Sequence, residues 1–137
     1  MGLQIQNHNA STIAEIDAAF AALARERPDA LFVAPDGFLV NRGVQLAALA
    51  KRDRIPAFFG VRELVEAGGL MSYGIDLAEM FRQVGAYTGR ILRGDKPADL
   101  PVLQAIKLEL VINLQTARAL GIEIPPGILS IADDVID

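Results

Sequence analysis

Two short, continuous apolar runs constrain this chain more than anything else in it. Ala30-Leu31-Phe32-Val33-Ala34 and the segment from Pro56 to Val61 are too short for helices and are bounded by turn-forming residues. Runs of this kind suit strands buried on both faces, as in a parallel sheet. The stretches between them have helical spacing. Thr12-Ile13-Ala14-Glu15 carries a capping-box pattern and opens a helix to about Arg27, with Ile13, Ile16, Phe20, Leu23 and Ala24 on one face and Pro28 ending it. Asn41 is placed to cap a second helix with Val44, Ala48 and Leu49 inward, ending near Asp53. Strands and helices that alternate with short connections indicate an α/β fold: a mainly parallel sheet flanked by helices, formed by residues 1–137 as a single domain.

The remaining elements fit that frame. Leu3 to Gln6 alternates apolar and polar residues and reads as a short half-buried strand. Arg62 to Ala67 reads as a helical turn broken by Gly68-Gly69, and Leu70 to Tyr73 as a third strand closed by Gly74. Asp76-Leu77-Ala78-Glu79 opens the longest helix, to about Arg93, with Gly94 as its stop and Pro97 beyond. Gly85 and Gly89 form a small-xxx-small pair on it, fit for packing against a strand or helix, or for a helix–helix dimer contact. Leu108 to Leu114 is a late strand, Thr116 to Leu120 a helical turn stopped by Gly121, and Ile131 to Ile136 a short acidic helix.

Composition excludes several chemistries. Hydrophobic residues make up 52% of the chain, yet no apolar run approaches the roughly 18 residues a membrane helix needs, so the surplus belongs to a large core or a subunit interface. Net charge is −4 and the basic residues are scattered, which argues against nucleic acid. Without cysteine there is no disulfide or thiolate chemistry, and the lone His8, in a polar loop, cannot build a multi-histidine metal site or a triad. Asp133, Asp134 and Asp137 read as a solvated acidic end. Gly68-Gly69 lacks the patterns of a nucleotide phosphate loop. No nucleophile, base and oxyanion donor assemble, so neither an enzyme nor a cofactor is expected.

In parallel α/β sheets, ligands bind beyond the carboxyl ends of the strands. That draws attention to Asp36 and Phe38, to Gly60 and Arg62, and to Ser72 and Tyr73. Asp36 suits a ligand ammonium or hydroxyl, or a Pro-Asp-Gly turn. Arg62 suits a ligand carboxylate, or a solvated pair with Glu63. Tyr73 suits a pocket wall with a hydroxyl donor, or core packing.

Several stretches carry a family resemblance: Ile13-Ala14-Glu15-Ile16-Asp17-Ala18-Ala19-Phe20, Asp29-Ala30-Leu31-Phe32-Val33, and Glu66-Ala67-Gly68-Gly69-Leu70-Met71-Ser72-Tyr73-Gly74, followed by residues 91–102 and 108–114. In order and spacing the chain resembles the C-terminal half of the substrate-binding proteins of ABC-type transporters, the family that includes tryptophan- and tyrosine-type components. The resemblance implies one Rossmann-like lobe of a type I periplasmic binding protein, lacking the first lobe and the opening strand and helix of the second. It implies an amino-acid-like ligand, with Asp36 the best single carry-over, and a helix after Asp76 that packs on the other lobe. Open strand edges and an uncovered helix exposing Leu77, Met80, Phe81 and Val84 then predict a homodimer or higher homo-oligomer. A structural or regulatory homo-oligomer that has lost ligand binding is the alternative reading. The start Met1-Gly2-Leu3-Gln4-Ile5 lacks the features of a secretory signal. A cytoplasmic location is therefore expected for the chain as written, and a periplasmic one for part of a longer exported protein.

Overall fold

The computed structural model describes residues 2–103 and 107–137. Seven helices and five strands are formed by these residues: α1 (Ile13–Glu26), β1 (Leu31–Val33), α2 (Gly37–Val40), α3 (Gly43–Arg52), β2 (Ala57–Phe59), α4 (Arg62–Glu66), β3 (Met71–Ile75), α5 (Leu77–Leu92), β4 (Leu108–Asn113), α6 (Leu114–Leu120), α7 (Pro126–Leu129) and β5 (Asp134–Ile136). The strands make one sheet in the order β1-β2-β3-β4-β5. β1–β2, β2–β3 and β4–β5 are parallel and β3–β4 is antiparallel, so the expected mainly parallel sheet is present.

Local chemistry explains the element ends. Thr12 caps α1 and Glu15 reaches back, which completes the capping box read from sequence. Asp76 caps α5 by accepting from the Glu79 amide at 2.9 Å, and Asn113 caps α6 through Thr116. The second cap differs from expectation. Asp36, not Asn41, starts the next helical segment, and Asn41 ends it. α3 begins separately at Gly43 without a side-chain cap, and on it Gly43, Leu46, Ala47 and Ala50 face inward while Val44 and Ala48 face out. On α1, Ile16, Phe20 and Leu23 are buried, whereas Ile13 and Ala24 lie outside.

Register sorts the sheet into two faces with different cover. Leu31, Val33, Ala57, Phe59, Ser72, Gly74, Glu109, Val111 and Asn113 share the first face. It packs under α1, α3 and α4 in a core of Ile16, Phe20, Leu23, Val33, Leu46, Ala50, Ile55, Ala57, Phe59 and Leu64. On the second face, Leu110 and Ile112 meet Ala117, Ile124 and Leu129 from the α6–α7 end. The rest of that face is open: Phe32 is 59% exposed, Tyr73 53% and Ile75 42%. β1 is therefore not buried on both sides as its sequence predicts.

Two further expectations fail for non-local reasons. Leu3 to Gln6 forms no strand. Leu3 and Ile5 are each 80% exposed, and alternation alone does not make a strand without a ladder partner. Ile131 to Ile136 is not a helix, because Asp134–Ile136 pairs beside β4 as β5. β3 also runs on through Gly74 to Ile75. Finally, α5 has no buried residue. Phe81 and Val84 are exposed as expected, with Leu77 and Met80 half-buried.

Candidate functional site

The three segments singled out in sequence meet at one edge of the sheet. Parallel pairing carries the ends of β1, β2 and β3 to the same side, and the fit between them is close. Pro35 packs against Gly60, leaving a side chain there only 3.1 Å from the proline ring. The Gly60 carbonyl crosses Gly74 so closely that an added Cβ would lie 1.9 Å from it. Glycine at 74 is thus required by backbone approach rather than by backbone angle. Because β4 runs antiparallel to β3 and β5 follows β4, their starting residues Glu109 and Asp134 come to this edge too.

Each predicted residue has a definite place. Asp36 is exposed and caps α2, its Oδ1 accepting from the amides of Phe38 (2.8 Å) and Leu39 (3.3 Å). The turn-forming role is therefore realised, and Oδ2 makes no hydrogen bond among the described residues. Phe38 is half-buried against the core, with the Arg42 guanidinium over its ring at 5.8 Å. Gly60 contributes backbone. Ser72 and Tyr73 are adjacent in β3 and so point to opposite faces: Ser72 is 1% exposed, while Tyr73 lies on the open face.

Arg62 departs most from its reading. Its pairing is with three carboxylates and not with Glu63. Nε donates to Glu66 Oε1 (3.0 Å), Nη1 to Glu109 Oε2 (2.9 Å) and Nη2 to Asp134 Oδ2 (2.7 Å). The guanidinium thereby ties α4 to β4 and β5. These bonds raise its pKa above the ordinary arginine value, that to Glu66 contributing most and that to Asp134 next, so it stays charged at any working pH. Three of its five N–H donors are used, which leaves two. Glu109 is 5% exposed, and among the described residues its Oε1 and the Ser72 Oγ are buried side-chain atoms without a partner.

Sequence reading missed Glu109 and Asp134. One signal was available for Glu109: a lone carboxylate in the otherwise apolar run Leu108-Glu109-Leu110-Val111-Ile112 needs a cation when that strand is buried. No group of three or more His, Cys, Asp or Glu side chains able to hold a metal occurs among the described residues. The arrangement offers hydrogen-bond donors, a free carboxylate oxygen and an exposed aromatic ring along an open edge, which suits recognition of a small polar molecule with an apolar body.

Comparison with known proteins agrees with this architecture. The tyrosine-binding protein of Clostridioides difficile is 27% identical over 113 residues, which is 82% of this chain and 32% of that protein. An ABC domain from Streptococcus pneumoniae solved in complex with L-Trp is 28% identical, with a TM-score of 0.82 over 98% of this chain and 46% of that one. A conserved domain protein from Vibrio cholerae is 30% identical, with a TM-score of 0.76 over 89% of this chain and 41% of that one. The chain thus spans less than half the length of each of these relatives. Residues 1–136 match the family described as ABC transporter substrate binding protein, and the chain belongs to that family.

Proposed function

We propose that this chain is a solute-binding module of an ABC-type transport system, taking an amino-acid-like ligand against the carboxyl ends of β1, β2 and β3. The observation that carries the reading is the meeting of Pro35, Gly60 and Gly74 at one sheet edge. The likeness to proteins named for tyrosine binding and solved with L-Trp supports it. In this reading the free oxygen of Asp36 receives the ligand ammonium, and the two unused N–H groups of Arg62 face its carboxylate. Gly60 lets the ligand approach the backbone, while Phe38 and the exposed Tyr73 ring bound its apolar part. Ser72 does not reach the ligand from its present position, since its hydroxyl is closed off from solvent. The reading is binding without catalysis and without a cofactor. It favours a location outside the cytoplasmic membrane, as the family's role in uptake requires; no helix among the described residues is long and apolar enough to cross a membrane.

An open edge touches a ligand on one side only, so affinity in the millimolar range, about −4 kcal/mol, is expected of the chain alone. The test is an amide-resolved NMR titration with L-tryptophan and L-tyrosine, with indole-3-propionate as the amine-free control. Shifts should cluster at residues 36–38, 60–62 and 72–76, be weaker for the control, and disappear in Asp36→Ala. Absent or evenly scattered shifts at 10-fold the expected dissociation constant, on the order of tens of millimolar ligand, refute the reading.

The homo-oligomer expected from sequence is a second, separate reading, and the uncovered faces of β1–β3 and α5 favour it.

A further inference from the structure

Two polar atoms on the covered face of the sheet need a partner that the protein does not supply. The Ser72 hydroxyl and Glu109 Oε1 are buried and make no hydrogen bond among the described residues. Buried polar groups in folded proteins are nearly always paired. The strand register narrows where the partner can be. Ser72 lies beside Phe59 of β2 on one side and Val111 of β4 on the other, both fully buried and without a polar side-chain atom. Its diagonal neighbours on β4, on the same face, are Asn113 and Glu109. Asn113 is committed: its Nδ2 donates to the Val65 carbonyl at 3.1 Å and its Oδ1 accepts from the Thr116 amide at 2.9 Å. Glu109 is the diagonal neighbour with an oxygen to spare.

Ser72 and Glu109 do not bond each other directly, and the pleat accounts for it. Diagonal residues on an antiparallel pair stand about 7–8 Å apart. A serine side chain is short, and the Glu109 carboxylate cannot swing toward it while Arg62 Nη1 holds Oε2 at 2.9 Å. Two polar groups on one face, just beyond direct reach, suit a bridging molecule. A third polar atom stands close by. The residue directly opposite Glu109 on β3 is Gly74, which brings no side chain, and the Gly60 carbonyl oxygen occupies the place of its Cβ. A carboxylate and a carbonyl only accept, while a hydroxyl can donate, so the bridging molecule must donate twice and accept once. Water does so, and about three hydrogen bonds are usual for an internal water. A cation is disfavoured by the guanidinium on the other oxygen of the same carboxylate. Both unpaired atoms are closed off from solvent by this chain's own residues. A lobe, neighbour or solute docking from outside cannot reach them, whereas water enters through local opening.

We propose that one internal water molecule is bound between β3 and β4, accepting from the Ser72 hydroxyl and donating to Glu109 Oε1 and to the Gly60 carbonyl. The network centred on Arg62 already joins α4, β4 and β5 through Glu66, Glu109 and Asp134. The water carries it on to β3 and to the turn after β2. Ser72 is thereby assigned to the water rather than to a ligand. The proposal does not depend on the ligand, and its test is made without one.

A high-resolution crystal structure of the ligand-free chain should show a solvent peak within about 3.2 Å of both Ser72 Oγ and Glu109 Oε1. In solution, oxygen-17 relaxation dispersion counts the long-lived internal waters. It should find one fewer in Ser72→Val than in the wild type, because the branched methyl groups fill the space and offer no hydroxyl. A direct Ser72–Glu109 hydrogen bond of about 2.5–3.0 Å overturns the proposal. So does a site without a peak, or a peak within reach of only one of the two atoms. A peak that gains anomalous signal from crystals grown in rubidium chloride also overturns it, since the occupant would then be a cation. An equal count of long-lived waters in the two proteins does the same. If Ser72→Val does not fold, the wild-type crystal structure decides alone.

Discussion

Replacing Arg62 with Met should destabilise the chain far more than its 32% side-chain exposure suggests. The guanidinium serves three carboxylates, and they are not equivalent. Glu66 and Asp134 are 52% and 46% exposed and can be rehydrated when the arginine is removed, so each pair contributes about 0–1 kcal/mol. Glu109 cannot be rehydrated. Its side chain is 7% exposed, Oε2 depends on Arg62, and Oε1 is already without a partner. Losing the cation strands a buried carboxylate, which costs about 3–5 kcal/mol. Glu66 does most to hold the arginine proton, but Glu109 governs stability, because only Glu109 is cut off from water. The expected loss, about 4 kcal/mol, is a large share of the roughly 5–15 kcal/mol that a domain has in total. In urea, at about 2 kcal/mol per molar, the midpoint should fall by about 2 M. Adding Glu109→Leu to the Arg62→Met chain should restore most of the loss, because the stranded charge is gone. The reasoning is refuted if Arg62→Met costs less than about 1 kcal/mol, or if the double variant is no more stable than Arg62→Met alone.

Other substitutions probe other parts of the argument. Gly74→Ala places a methyl group 1.9 Å from the Gly60 carbonyl and must displace backbone, so it should cost at least the upper end of ordinary overpacking, about 3 kcal/mol, by urea denaturation; an unchanged midpoint would show that the edge is looser than described. Thr12→Ala removes one arm of the capping box on α1 and should cost about 1 kcal/mol, with Thr12→Ser close to neutral. The Asp53 pKa is lowered chiefly by its hydrogen bond from Arg52, so the pair stabilises the fold above the carboxylate's unfolded pKa and loses that contribution as pH falls through the lower folded value. Arg52 is 59% exposed and the pair is adjacent in sequence, so water competes for the guanidinium and the effect should be small. Asp53→Asn should flatten the melting-temperature profile below about pH 4 and leave its neutral-pH slope unchanged, and an identical acid limb in the two proteins would contradict this.

What the sequence made legible is what neighbouring residues decide. Thr12 and Glu15 settle the start of α1 three positions apart, and the alternation of apolar runs with helical segments is enough to place Asp36, Gly60 and Ser72 near one edge. Asn41 reads as a cap from its residue type alone, yet Asp36 caps the short α2 ahead of it and α3 begins at Gly43 with no side-chain cap; which residues of α3 face the core is then decided by packing on the sheet. Partners distant in sequence were illegible. Arg62 meets Glu109 and Asp134 across 47 and 72 residues, and no spacing rule finds them. Ile131 to Ile136 contains a strand only because β4 is beside it. Leu3 to Gln6 has the pattern of a strand and lacks the neighbour. Phe32 sits in a run that reads as fully buried, and its exposure depends on a cover that no other described part of the chain supplies.

The bare sheet face and the ligand-facing edge share residues. Tyr73 and Ile75 end the third strand, where a ligand is proposed to sit, and they also belong to the uncovered patch. Whatever covers the patch therefore forms part of the wall of the site. Binding free energies at two such sites are coupled reciprocally: a ligand that tightens dimerisation by some factor is itself bound more tightly by the dimer, by the same factor. A typical coupling of 1–3 kcal/mol corresponds to about 5- to 150-fold. If the cover is a second copy, the homo-oligomer expected from sequence, L-tryptophan at millimolar concentration should shift the dimer dissociation constant measured by sedimentation, and Tyr73→Ala should reduce that shift along with ligand affinity. If ligand saturation left the dimer constant unchanged while NMR shifts still mapped to residues 72–76, the covered face and the site would be energetically separate. Tyr73 would then belong to only one of them.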